Sequence, residues 1–438
     1  MEWPGSLDEY QKLVTRMNTP RVVIDNKVSP STTLVKLHSA RKHGVLLEAI
    51  QALSDLNLSI TKAYISSDAS WFMDVFHLTD HLSDKLSDDP HLLSLIHHSL
   101  LSAATSDHLS HPIPPPPLPN TSLTALELTA GDRPGLLSDL FAVLTDLDCS
   151  IAAVKTWTFN GCMASLLFIH NVDFDQNPTK LNIIITRLRH VINGDVQPTS
   201  TAVSHSDRRL HQLLLPEQPS QSTPATVSVT IQNLVKRDYS VINIQCHDRP
   251  KLLFDVVCVL TDMNYVVFHG TVNTDGDKAH QEFYVRSSDG KIIGTEEEKD
   301  RVVKNLRTGI ERRAEKGLRL EICAEDRHGL LADVTRVLRE NGLSITMAEV
   351  RMEEKVVKSV FYVDDVAGCN LVNDKVIEMV KERMGNGSLK VGEVVKKTLG
   401  RRKVEEDGGG GGGGVGLVYL GSFVRRNLYN LGLIRSCS

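Results

Sequence analysis

The stretch GDRPGLLSDLFAVLTDLDCSI, residues 131–151, decides the fold, because the chain repeats it. Close versions stand at 247–267 (HDRPKLLFDVVCVLTDMNYVV) and 325–345 (EDRHGLLADVTRVLRENGLSI), and a looser one at 40–60 (ARKHGVLLEAIQALSDLNLSI). In each copy a leucine follows the turn position by nine residues, in the pairs Gly44/Leu53, Gly135/Leu144, Lys251/Leu260 and Gly329/Leu338. Between them the apolar residues recur at helical spacing, as in Leu136, Leu137, Leu140, Val143, Leu144 and Leu147, which predicts an amphipathic helix with one face for a sheet.

Strand-like runs follow each helix. In the second copy these are CSIAAVKTWTF and ASLLFIH, and Asn160-Gly161 between them is a hairpin signal. Second helices are expected around 89–104, 177–193, 295–316 and 373–384. The unit is strand, helix, two strands, helix and a further strand, the split βαβ order. The fold class expected is α+β: four tandem ferredoxin-like βαββαβ modules, antiparallel sheets with helices on one face.

The first and third copies align without a gap at an offset of 207 (Asn26 with Asn233, Phe76 with Phe283), the second and fourth at 194 (Gly135 with Gly329). The chain therefore reads as two halves, each with an odd and an even module. The odd modules have no room for a last strand, but PRVVIDN (20–26) or VSVTIQN (227–233) precedes them, and these leading strands are expected to fill the missing edge. The even modules carry their own candidates, STAVS (200–204) and SLKVGEVVKK (388–397).

The boundaries expected are 33–104 for the first module, with leading strand 20–26, and a Pro-rich linker at 105–122. The second module spans 123–204, and a helix and linker 205–225. The third spans 239–317, with leading strand 227–233, and the fourth 318–397. A flexible Gly-rich linker (398–414) and an amphipathic tail (415–438) follow. The proline run favours extended polyproline geometry and reads as a stiff spacer.

Composition narrows the function classes. A net charge of −5 gives no global reason to expect nucleic-acid binding. The cysteine count, seven, is odd and includes no Cys-x-x-Cys pair, which argues against a disulfide scaffold and a zinc site. His97, His98, His108 and His111 lack carboxylate or cysteine partners at ligating spacing, so no metal and no cofactor is expected. The charged N-terminus, MEWPGSLDEYQKLV, is no signal peptide, and no run of about 18 apolar residues spans a membrane; cytoplasm or nucleus is expected. The tail, with Arg425 and Arg426 among apolar residues, reads as a helix for a membrane surface, a partner or its own modules.

The repeated turn has chemistry of its own. Asp132 and Asp326 precede a helix start, Pro134 and Pro250 sit in its first turn, and Gly135 and Gly329 allow close backbone approach. The N–H groups of Gly135, Leu136 and Leu137 would face out at the positive end of the helix dipole, where a carboxylate is a natural guest. A neighbouring aspartate would accept from an ammonium, so the turn suits the two charged ends of an amino acid. Capping alone selects the same residues, and the residues leave both readings open. The first copy has Arg41 in place of the aspartate, the third Lys251 in place of glycine, and the fourth His328 in place of proline. The second and fourth turns are therefore the better candidates.

The phrase D-R-P-G-L-L-x-D-x-x-x-x-L, closed by a polar turn and a strand opening S-I, resembles the ACT domain, a βαββαβ small-molecule regulatory module. Four copies, together with PRVVIDN, AYISSDASWFMDVFH, RRLHQLL, KLLFDVVCVLTDM and the closing GLIRSCS, resemble the plant ACR (ACT domain repeat) proteins over nearly the whole chain. The resemblance implies a non-catalytic regulator with modules paired side by side, binding amino acids or similar zwitterions between the first turn of one module and the second strand of its neighbour. Carried over, the ligand-binding residues are Asp132, Arg133, Gly135, Leu136 and Leu137 of the second module, Asp248 of the third, and Asp326, Gly329 and Leu330 of the fourth. The opposing wall falls near Asn57, Asp148, Asn264 and Asn341. A homo-oligomer or a signalling protein is the macromolecular partner expected.

Three other function classes share some of these features. An RNA-recognition module has the same element order, but its third strand is basic and aromatic, and the third strands here (WFMDVFHL, CMASLLFI, KAHQEFYV, VVKSVFYV) are not, with Asp74 and Glu282 adding negative charge. An enzyme would show a phosphate loop, His-Glu-x-x-His or Gly-x-Ser-x-Gly, and none occurs. An interaction scaffold that has lost ligand binding stays open, and the altered first and third turns argue for it in part.

Overall fold

The computed structural model describes residues 19–393 except 41–43, 68–70, 81–83, 106–122, 171–177, 200–204, 216–226, 314–316, 354, 366–377, 379–381 and 383–387. The Pro-rich linker, the linker after residue 215, most of the helix expected at 373–384, the Gly-rich tract and the C-terminal tail lie outside the described residues.

The first module consists of β1 (Arg21–Asp25), β2 (Thr33–Ala40), α1 (Val45–Asp55), β3 (Ser59–Ser67), β4 (Trp71–Thr79) and α2 (Pro90–Thr105). The second consists of β5 (Leu123–Gly131), α3 (Leu136–Asp146), β6 (Ile151–Phe159), β7 (Cys162–His170), α4 (Pro178–Ile192) and β8 (Asp195–Thr199), and α5 (Ser206–Leu213) follows it. The third contains β9 (Ser228–Leu234), β10 (Tyr239–His247), α6 (Leu252–Asp262), β11 (Tyr265–Asp275), β12 (Lys278–Ser287) and α7 (Glu296–Arg312). The fourth contains β13 (Leu318–Glu325), α8 (Leu330–Glu340), β14 (Leu343–Glu353), β15 (Val356–Asp365) and β16 (Ser388–Glu393).

Two eight-stranded antiparallel sheets result, in the orders β1-β2-β4-β3-β11-β12-β10-β9 and β16-β13-β15-β14-β6-β7-β5-β8. The first module therefore shares a sheet with the third, and the second with the fourth. The pairing crosses the two halves of the sequence instead of staying within each. The joins are β3 on β11 (Ser66 opposite His269, Lys62 opposite Asn273) and β6 on β14 (Trp157 opposite Met347, Ala153 opposite Arg351). Each sheet has its own continuous apolar core, one containing Phe76, Phe254 and Phe283, the other Phe141 and Phe361.

The leading strands occupy the outer edges of the first sheet, β1 on β2 and β9 on β10. One hydrogen-bonded triad fixes both. Asn26 accepts from Thr33 Oγ1 (2.6 Å) and donates to the Leu86 carbonyl (3.1 Å); Asn233 accepts from Ser240 Oγ (2.8 Å) and donates to the Ile293 carbonyl (2.7 Å). Each of the three residues recurs at the same offset of 207. In the second module the edge strand is Asp195–Thr199, five residues earlier than the stretch expected for it. Val196 is buried there, and Pro198, which has no N–H to give a ladder, is tolerated because the strand is at an edge.

Helix α5 joins the layers. On one side Leu210 and Leu214 pack with Trp157, Ala164 and Leu166 on the open face of the second sheet. On the other its polar residues reach the odd modules: His205, just before it, meets Glu48 of α1 at 2.8 Å, and Arg208 meets Asp262 of α6 at 2.7 Å. At its centre lies a buried ion network. Asp207 takes Lys155 of β6, Lys251 (2.9 Å) and Arg313 (2.9 Å); Asp255 of α6 takes Arg313 (2.9 Å), Arg249 (2.7 Å) and His211 (2.8 Å). The Arg313 guanidinium also stacks 4.4 Å from the Trp157 ring centroid. Burial opposes both carboxylates' charge, yet the surrounding cations hold Asp207 and Asp255 well below the usual carboxylate range.

Candidate functional site

All four module turns share one backbone device. The residue before each first helix is left-handed: Gly44 (φ 88°), Gly135 (83°), Lys251 (61°) and Gly329 (76°). The residue at each helix start makes no side-chain cap bond, but the Asp132 and Asp248 carboxylates accept from the backbone N–H of the arginine that follows each. The backbones of these turns also tie to the following hairpin: the N–H of Asp132 donates to Gly161, of Asp248 to Asp277, and of Asp326 to Lys355, at 2.7, 2.8 and 2.7 Å. The Leu136 N–H is used within the turn, donating to the Arg133 carbonyl at 3.1 Å, and is therefore committed before any guest arrives.

The second module's turn meets the fourth module across the β6–β14 join. Asp132, Arg133, Gly135, Leu136 and Leu137 line a cavity of about 20 Å³ there, opposite Leu343, Ser344 and Ile345 at the start of β14. Thr156, Thr158 and Arg339 supply polar groups to a lining that also contains Met163. Arg339 lies across the turn: a Cβ on Gly135 would come 2.3 Å from its Cδ, so glycine is required for two reasons at once, contact and φ. The guanidinium pairs with Asp139 at 2.8 Å, and Arg133 reaches the same carboxylate at 2.7 Å. Burial pushes the Asp132 carboxyl up from its ordinary pKa, with the Arg133 N–H and Thr158 beside it acting in the opposite direction.

The matching junction in the first sheet holds a larger cavity, about 60 Å³, although its turn is the one that departs most from the repeated phrase. Gly44, Val45 and Leu47 form one wall and Tyr265, Val266 and Val267, opening β11, the other. Asp74 of β4 forms the floor with Phe72. It is 2 % exposed, and its Oδ1 has no hydrogen-bond partner. Burial pushes its carboxyl up to a pKa of about 8, against a hydrogen bond from the Ser66 backbone that acts in the opposite direction. From sequence this residue is a negative charge on a third strand. Strand alternation places it on the core face with Phe72 and Phe76, which is the signal that finds it.

The two reciprocal junctions differ. In the third module's turn Lys251 fills the place of glycine and reaches Asp207, so the chain's own ions occupy it; Asp248 and Asn264 line neither cavity. The fourth module's turn is open to solvent, with His328 and Asp148 3.7 Å apart and 68 % and 91 % exposed; Asp326, Gly329 and Leu330 also line neither cavity. At the helix exits Asn57, Asp148 and Asn264 take left-handed φ (58°, 49°, 63°), but in the fourth module Gly342 (73°) does so. Asn341 is one residue short of the equivalent position and donates back to the Val337 carbonyl at 2.8 Å. Among the described residues no group of His, Cys, Asp and Glu has a metal-binding arrangement, and no helix is long and apolar enough to cross a membrane.

Comparison with known proteins agrees with this architecture. Residues 28–107 match the ACR family N-terminal ACT domain, 228–315 an ACR9-like, ACT-like domain, and 318–378 the ACT domain. Over 456 residues the chain is 46% identical to the ACT domain-containing protein ACR8 of Arabidopsis thaliana, covering 100% of both. It is 41% identical to ACR4 of the same plant over 98% of each chain, and 43% identical to ACR6 over 88% of this chain and 92% of that one. The chain belongs to the ACR family of ACT domain-containing proteins.

Proposed function

We propose that this protein is a non-catalytic regulator that binds amino acids at the junctions between its modules, and that residues 123–204, outside the three matched ranges, are a further ACT domain. The observation that carries the reading is the apposition of two modules at the Gly135 turn, where one module's helix start faces the first residues of a strand in another across a small cleft. Arg339 and the helix dipole favour a carboxylate there, and Asp132 accepts from an ammonium. A ligand at such a junction contacts two modules at once, so it favours one packing of the pair over another, which is what a signal requires. A signalling protein or a second copy of the chain would read that change.

Calorimetry of the full chain with each of the twenty amino acids tests this, repeated with Asp132→Ala and Gly135→Val. Binding by at least one amino acid, weakened in these variants, is expected. Absence of binding by all twenty would favour a scaffold instead, a reading that draws on the third turn, already filled by Lys251 and Asp207.

A further inference from the structure

Asp74 is a buried carboxyl with one oxygen that has no hydrogen-bond partner among the described residues, and it lines a cavity whose other walls are mostly aliphatic. Such a group is costly unless something completes it. The register places it between Leu37 of β2 and Ile65 of β3. It accepts a hydrogen bond from the Ser66 backbone. The one other titratable side chain lining the cavity is Tyr265, whose hydroxyl is engaged with Glu298 at 2.6 Å.

The equivalent residue of the third module, at the offset of 207, is Gln281, whose buried Oε1 is likewise without a partner but which cannot carry charge. Asp74 is thus a departure from its own repeat, placed in the larger of the two cavities. At about 60 Å³ the space holds roughly four to six water-sized groups, against one or two in the Gly135 cavity.

We propose that the junction of the Gly44 turn with β11 is selective for small aliphatic primary amines, the aliphatic amino acids among them, with the ligand ammonium seated on Asp74. The inference rests on the reading of module junctions as amino-acid sites and adds the ligand class and the residue that sets it. An alkylammonium stays charged up to about pH 10. Seating it favours the ionised carboxylate, so the Asp74 proton leaves to the buffer as the ligand enters. The aliphatic walls, Val45, Leu47, Ile65, Val257 and Val266, take the hydrocarbon body.

The test is calorimetry of the full chain at pH 7 in two buffers of different ionisation heat, with L-valine, isobutylamine (valine without its carboxylate) and 3-methylbutanoate (valine without its amine). Expected are binding of valine and isobutylamine with release of about one proton, and none of 3-methylbutanoate. Asp74→Asn, which keeps shape, and Asp74→Leu, which keeps an apolar floor, should each weaken isobutylamine at least tenfold and abolish the proton release. If neither valine nor isobutylamine binds, or if both variants bind within twofold of wild type, the inference is overturned. Binding of some other amino acid, sensitive to Gly135→Val, would then leave the broader reading standing, whereas no binding by any of the twenty would remove both.

Discussion

The Gly44 and Lys251 turns belong to one sheet, stand at the offset of 207, and share a left-handed backbone, yet one bounds a cavity and the other is filled. At Lys251 the ammonium reaches the α5 carboxylate Asp207, and the site has become part of the joint that holds the two sheets together. At Gly44 the turn bounds the cavity, and Asp74 Oδ1 has no hydrogen-bond partner among the described residues. The two junctions share their backbone geometry and differ at single positions, Gly44 against Lys251 and Asp74 against Gln281.

The largest effect expected from breaking this contrast is on the filled side. Asp207→Ala leaves Lys155, Lys251 and Arg313 buried without their shared counter-charge, and should cost about 3–5 kcal/mol in urea unfolding. The same network fixes a pH dependence. Asp207 and Asp255 have folded pKa values below the unfolded value near 4, and Lys155 holds Glu349 down at about 2. Their stabilisation is fully present above about pH 4 and is lost as pH falls through the folded values, so wild type should lose stability below pH 4 more steeply than Asp207→Ala.

On the open side the sign reverses. Asp74 has a folded pKa of about 8 against an unfolded value near 4, so the folded state keeps a proton that the unfolded state has lost. Stability then falls as pH rises from about 4 to 8, by up to ~1.4 kcal/mol per unit. Asp74→Leu should therefore be more stabilising at pH 7 than at pH 5, by on the order of 2 kcal/mol, measured by denaturant midpoints at the two pH values. Equal effects at both would mean that the carboxyl is ionised in the fold.

Much of this was legible in the sequence, and the limits have physical causes. Helical spacing from Leu136 to Leu147 and the Asn160-Gly161 hairpin are local signals, and local structure followed them. The shared offset of Asn26 and Asn233 pointed to the edge-strand triads. Which modules pair depends on contacts more than a hundred residues apart, such as Trp157 with Met347, and no local pattern carries them. The candidate residues were ranked by likeness to one phrase, which favoured the second and fourth turns. A cavity depends on what the neighbour brings, and there the decisive residues were Arg339, Lys251 and Asp74, each outside that phrase or a departure from it.

Smaller effects sharpen the comparison further. Gly135→Ala should cost about 1–2 kcal/mol in thermal or urea unfolding, from the left-handed φ and the displaced Arg339. Lys251→Gly should change stability by less than about 1 kcal/mol, because relief of strain at φ 61° offsets the loss of one of the cations around Asp207.

Hydrogen–deuterium exchange of the full chain, followed by mass spectrometry with and without saturating valine, tests the central claim most directly. The account predicts slowed exchange in paired segments from different modules, 44–48 together with 265–267, and for a ligand of the second junction 132–138 together with 343–346. Slowed exchange confined to a single module, or centred on the filled Lys251 turn, would contradict it.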